Sequence, residues 1–117
     1  MSKELGERIR ELRKARGLTQ RTLAEAVGID FTYLSKIENN TVPYSPSEKT
    51  LKKLANELEA DELELLRLAE RLTGEVKAIT NTELGIRFLR QASKMRSQED
   101  WEELLAFMEK RAKERGL

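Results

Sequence analysis

The chain has 117 residues, 37% of them charged and 5% aromatic, a net charge of +1, and neither cysteine nor histidine. That length holds one domain, or one small domain with an accessory segment, and the missing thiols and imidazoles exclude disulfide staples and thiolate or imidazole metal sites. No apolar run approaches the ~18 residues of a membrane span, the opening MSKELGER has no signal-peptide core, and the Leu- and Ala-rich composition predicts an all-α, cytoplasmic protein without cofactor or metal.

The first helix is predicted from about Lys3 to Arg16, with Leu5, Ile9 and Leu12 on one face and Glu7, Arg8, Glu11 and Lys14 on the other. Gly17 stops it, Leu18 tucks into the core, and Thr19 is placed to cap a second helix starting at Gln20. Within TQRTLAEAVGIDFTYLSKIE, Leu23, Ala24 and Val27 recur at helical spacing. Gly28 then permits a left-handed turn, and Asp30 can cap a third helix over Phe31 to Asn39. The apolar face of that helix is only Leu34 and Ile37, so Phe31, Thr32, Ser35 and Lys36 face outward with Tyr33 at the boundary. A helix that buries so little of itself, held steeply by a tight turn, is shaped for insertion, and the DNA major groove is the obvious receptacle. After the loop TVPYSPS, Pro46 and Ser47 open a fourth helix with Leu51, Leu54, Ala55 and Leu58 as its buried stripe. A fifth follows from about Asp61. Its Leu63, Leu65, Leu66, Leu68, Ala69 and Leu72 cover more than one face, so one face should seal the core and the other, through Leu65, should meet a partner or the C-terminal segment.

From about Leu5 to Ala69 the chain resembles the phage Cro/repressor-type (XRE-like) helix-turn-helix family, in the segments GERIRELRKARGLTQRTLAEAVGIDFTYLSKIENN and PSEKTLKKLANEL. The resemblance implies a five-helix DNA-binding head over residues 1–72, with double-stranded DNA as its partner. It places Phe31, Thr32 and Lys36 against bases, and Thr19, Gln20, Tyr33 and Asn39 near phosphates. The chemistry agrees: Phe31 and the Thr32 methyl suit thymine methyls, Lys36 can donate to guanine O6 and N7, and a helix start at Gln20 is a natural anion site. No bidentate Arg or Gln stands on the third helix, so base preference is expected to lean on apolar contacts. The plainer readings are a core residue for Phe31, a half-buried spacer for Tyr33, a solvated helix end for Gln20 and an ordinary surface lysine for Lys36. By the same resemblance Arg13 and Glu38 form an internal ion pair that fixes the angle of the third helix more than it adds stability, since desolvation offsets much of the Coulomb gain. Two positions depart from the family pattern. Asn40 stands where a glycine is usual, and the loop at 41–47 has no Lys or Arg, leaving Tyr44, Ser45 and backbone amides as substitute phosphate partners.

Residues 73–82, TGEVKAITNT, contain Gly74 and β-branched residues of poor helical propensity and read as a linker. Beyond it, residues 83–117 read as a helical hairpin. Leu84, Phe88, Leu89 and Ala92 form one stripe, and Ser97 caps a last helix carrying Trp101, Leu104, Leu105, Met108 and Ala112 on one side. A hairpin of ~30 residues cannot hold itself together in water, so Phe88, Trp101, Leu105 and Met108 are expected to dock on the head, a second copy or another protein. The pattern resembles the C-terminal hooks by which some repressors of this family dimerise and are released by small antirepressors.

Charge is spread unevenly: slightly basic before residue 47 and after residue 75, acidic between. Phosphate contacts should therefore be few and one head weak, which favours a dimer using two. Every carboxylate lies among Lys and Arg on amphipathic faces, and no Gly-rich phosphate loop or metal-ligand cluster is present, so an enzyme is not expected. The expected function is a sequence-specific transcriptional regulator, a repressor acting as a homodimer on an inverted-repeat operator. The alternative is an antitoxin or adaptor whose C-terminal helices bind a partner protein.

Overall fold

A computed structural model describes residues 3–117, which form eight α-helices and no strand: α1 Lys3–Ala15, α2 Gln20–Val27, α3 Phe31–Glu38, α4 Glu48–Leu58, α5 Glu62–Leu68, α6 Thr73–Thr80, α7 Glu83–Ala92 and α8 Gln98–Glu114. The chain divides into two compact units, residues 1–74 and 75–117. Among the described residues no helix is long and apolar enough to cross a membrane.

In the first unit, each helix contributes an apolar stripe to one core. Leu5 and Ile9 come from α1, Leu23, Ala24 and Val27 from α2, Leu34 and Ile37 from α3, and Leu51, Leu54, Ala55 and Leu58 from α4. A fully buried Leu or Ile stabilises by about 1.5–3 kcal/mol, so the two anchors of α3 are what hold that short helix on the head. The helix boundaries follow local chemistry. Thr19 accepts a hydrogen bond from the Thr22 amide and Ser47 one from the Thr50 amide, each satisfying an orphan donor at a helix start. Gly28, at φ 76°, ends α2 and its amide donates to the Ala24 carbonyl, which closes the turn between α2 and α3. Asp30 stands at the N-cap of α3, but its side chain makes no capping hydrogen bond. Gly6 lets α1 pass close over the end of α3: a Cβ there would lie 2.6 Å from the Ile37 and Glu38 carbonyl oxygens.

Two expectations are corrected. Leu65 does not offer itself to a partner: it is completely buried, as are Leu66 and, nearly, Leu68 and Ala69. The excess of leucines on α5 has a simpler reason, because that helix packs against both α4 and α1 and two of its faces are used inside the head. Leu63 is the one that points outward, 48% exposed. The stretch 73–82, read as a linker of poor helical propensity, is mostly helical, since α6 spans Thr73–Thr80. The helix forms despite weak intrinsic propensity, and the Thr80 hydroxyl donates a hydrogen bond back to the Val76 carbonyl rather than competing with the helix elsewhere.

The second unit is built differently. Thr82 caps α7 through the Gly85 amide and Ser97 caps α8 through the Asp100 amide. Yet of its hydrophobic residues only Ala92 is buried.

Candidate nucleic-acid interface

The third helix is fixed from inside by a single carboxylate. Glu38, at its last position, is fully buried and accepts from Arg13 Nε at 2.9 Å and Arg13 Nη2 at 3.0 Å, from Gln20 Nε2 at 3.1 Å and from Arg10 Nε at 3.4 Å. Arg13 spends its remaining Nη1 on the Leu18 carbonyl, 2.8 Å away. One side chain thus draws α1, the start of α2 and the end of α3 together. A bidentate guanidinium and a neutral amide satisfy a charge that would otherwise be very costly to bury. The Arg13–Glu38 pair anticipated from sequence is therefore present, and it is the centre of a larger network to which Arg10 and Gln20 also belong.

With Leu34, Ile37 and Glu38 turned inward, the opposite side of α3 is open. Thr32 and Lys36 are exposed and Ser35 half so. Phe31 and Tyr33 lie between: both are half-buried and pack against the head core. One face of the Phe31 ring is also covered, because the Arg21 guanidinium carbon sits 4.4 Å from the ring centre. What Phe31 can still offer a base is its edge.

The residues assigned to phosphates share a different feature. Thr19 uses its hydroxyl as the α2 cap and Gln20 gives its amide to Glu38. Asn39 accepts from Arg10 Nη2 at 2.6 Å and donates to the Ser35 hydroxyl at 3.4 Å. These side chains are held in place by the fold, and a partner would share them rather than find them idle. Tyr44 stands out from the loop, 81% exposed. Its neighbour Ser45 is engaged, donating to the Ala69 carbonyl at 2.8 Å, while Arg71 grips the Ser45 and Pro46 carbonyls and fastens the loop to the end of α5.

Charge on this surface is set by which cations are already neutralised. Arg8 pairs with Glu64 and Glu11, Arg10 and Arg13 with Glu38, and Arg16 with Glu59. The hydrogen bond to Glu64, and then that to Glu11, raise the Arg8 guanidinium above its ordinary pKa, so it stays charged and serves to tie α1 to α5. On α2 and α3, Arg21 and Lys36 are the cations with no carboxylate partner among the described residues. Sequence reading passed over Arg21 because nothing in linear spacing shows that position 21 lies over position 31 once the turn is made. Among the described residues no group of His, Cys, Asp or Glu is arranged to hold a metal ion.

The second unit presents a contrasting surface. Phe88, Trp101, Leu105, Phe107 and Met108 are all between 37% and 68% exposed, far more apolar area than a helix normally leaves to water.

A family model described as helix-turn-helix matches residues 9–65. The ImmF control region 10 kDa protein of Bacillus phage phi105 is 43% identical over 68 residues, covering 58% of this chain and 72% of that protein. Among solved structures, one described as the SinR protein/SinI protein complex matches over 93% of this chain and 98% of the other, with 28% identity and a TM-score of 0.53. The master regulator for biofilm formation SinR in complex with DNA matches over 53% of this chain and 97% of the other, with 37% identity and a TM-score of 0.49.

Proposed function

Because the chain belongs to the helix-turn-helix family, of the Cro/repressor (XRE-like) type, and is thus a DNA-binding transcriptional regulator and not an enzyme, we propose that it is a repressor that binds an inverted-repeat operator as a homodimer. The observation that carries this reading is the division of α3: Leu34, Ile37 and Glu38 are buried, while Thr32 and Lys36 stand in solvent on a helix whose end is clamped. In this reading residues 1–72 are the DNA-binding head, with Thr32, Lys36 and the edge of Phe31 at base edges. Tyr44 and the backbone around Thr19, Gln20, Tyr33 and Asn39 lie against phosphates. Residues 83–117 form the dimer surface through Phe88, Trp101, Leu105 and Met108, with a small antirepressor protein as a competing occupant. So few uncompensated cations make one head a weak binder, and two heads on half-sites ~34 Å apart supply the rest. The protein would act in the cytoplasm on nucleoid DNA.

A gel-shift series at physiological salt tests this: an inverted repeat selected from a random pool should outcompete random DNA, and equal affinity for both would overturn the reading. The exposed apolar side of the second unit also suits an antitoxin or adaptor whose tail binds another protein. A salt-stable dimer in the isolated protein favours the repressor; a monomer that tightens only with a partner favours the alternative.

A further inference from the structure

We propose that Arg21, although it stands on α2, reads a base: held over the Phe31 ring, it donates bidentately to the O6 and N7 of one guanine in each half-site. This rests on the DNA-binding reading above and extends it to a residue outside the recognition helix. Phe31 is the first residue of α3, the end of a recognition helix whose side chains reach base edges. A guanidinium 4.4 Å above its ring is therefore carried to the leading edge of the head. The contact with the ring restrains the guanidinium but uses none of its N–H donors, so the fork remains free and loses less freedom when it binds. Its charge is also free, whereas Arg8, Arg10, Arg13 and Arg16 are each paired with a carboxylate. Phe31, packed against the core on one side and covered by Arg21 on a ring face, is then chiefly a positioning residue. The bidentate guanine contact that α3 itself lacks is supplied across the turn.

The test uses the full chain and sites selected from a random DNA pool by the wild-type protein. Affinities are measured for the selected site, for each single base-pair change in it, and for sites with 7-deazaguanine, which lacks the N7 acceptor. Arg21→Ala should lose about 10- to 100-fold on the selected site and bind all four base pairs equally at one G·C position. Arg21→Lys, which keeps the charge without the fork, should lose most of the preference there and keep the salt dependence. At that same guanine, 7-deazaguanine should weaken the wild type and leave Arg21→Ala unaffected. Phe31→Leu, which removes the ring under the guanidinium, should broaden the base pair that Arg21→Ala broadens, and Phe31→Tyr, which keeps the ring, should leave that preference near wild type. If Phe31 variants fail to fold, the exposed Arg21 variants decide alone. The proposal is overturned if Arg21→Ala weakens every sequence equally with a shallower salt slope, the mark of a phosphate contact, or if base preference is untouched. If the wild type selects no sequence at all, the DNA-reading premise itself has failed.

Discussion

Replacing Glu38 with Gln tests how the reading helix is held. The carboxylate side chain is 0% exposed, and its partners differ in freedom: Arg13 is 11% exposed and Arg10 38%. On losing the charge, Arg10 can turn into water and Gln20 is only half-buried, whereas Arg13 is trapped with neutral acceptors alone, the Leu18 carbonyl and the one amide oxygen of the new Gln, and no counter-charge. The penalty is therefore that of one stranded buried cation, about 3–5 kcal/mol, rather than the sum of the broken hydrogen bonds. In a head of this size each kcal/mol shifts the midpoint by about 4–8 °C, so Tm should fall by at least about 12 °C. Circular dichroism follows the melt, and Trp101, the single tryptophan, gives a separate fluorescence signal from the second unit. Replacing both partners, Arg13→Met with Glu38→Met, should recover most of the lost Tm yet leave operator affinity low, because the end of α3 is no longer clamped. A Tm within about 2 °C of wild type and unchanged DNA affinity for Glu38→Gln would refute the argument. So would a double variant no more stable than the single one.

Other substitutions probe other parts. Lys36→Ala should cost about 1–3 kcal/mol in operator affinity and relax one base pair; a uniform loss over all sequences would move Lys36 to the phosphates. Trp101→Ala with Leu105→Ala should turn a salt-stable dimer into a monomer in sedimentation and weaken operator binding; a dimer that survives places the interface elsewhere. Gly6→Ala forces a Cβ against the Ile37 and Glu38 carbonyls, and α1 must retreat, costing about 1–3 kcal/mol of head stability. An unaltered melt would mean the contact relaxes freely.

The head could be read from sequence because its signals are local and mutually consistent: Thr19 and Ser47 as caps, Gly28 at the turn, and Leu23, Leu34, Ile37 and Leu51 at helical spacing. Three things escaped. Leu65 looked surplus to a two-sided helix because periodicity counts apolar faces and does not show how many neighbours a helix has; α5 has two within the head. The helix at Thr73–Thr80 escaped because β-branched residues and Gly74 weigh against a helix only weakly, by less than about 1 kcal/mol each, and such a prior is easily outweighed. Arg21 escaped because its contact with Phe31 joins positions ten apart across a reversal of direction, and no repeat or spacing rule encodes such a meeting.

The clamp on Glu38 has a consequence for how such a protein diversifies. Since Leu34, Ile37 and the buried carboxylate hold α3 from behind, Thr32 and Lys36 bear no structural duty on its front. New side chains can be tried at those two places without unfolding the scaffold, so that, with Thr32 and Lys36 at base edges as proposed, the address is separable from the chassis. A change of target gene can then begin with one or two codons, while the melting temperature stays where it was.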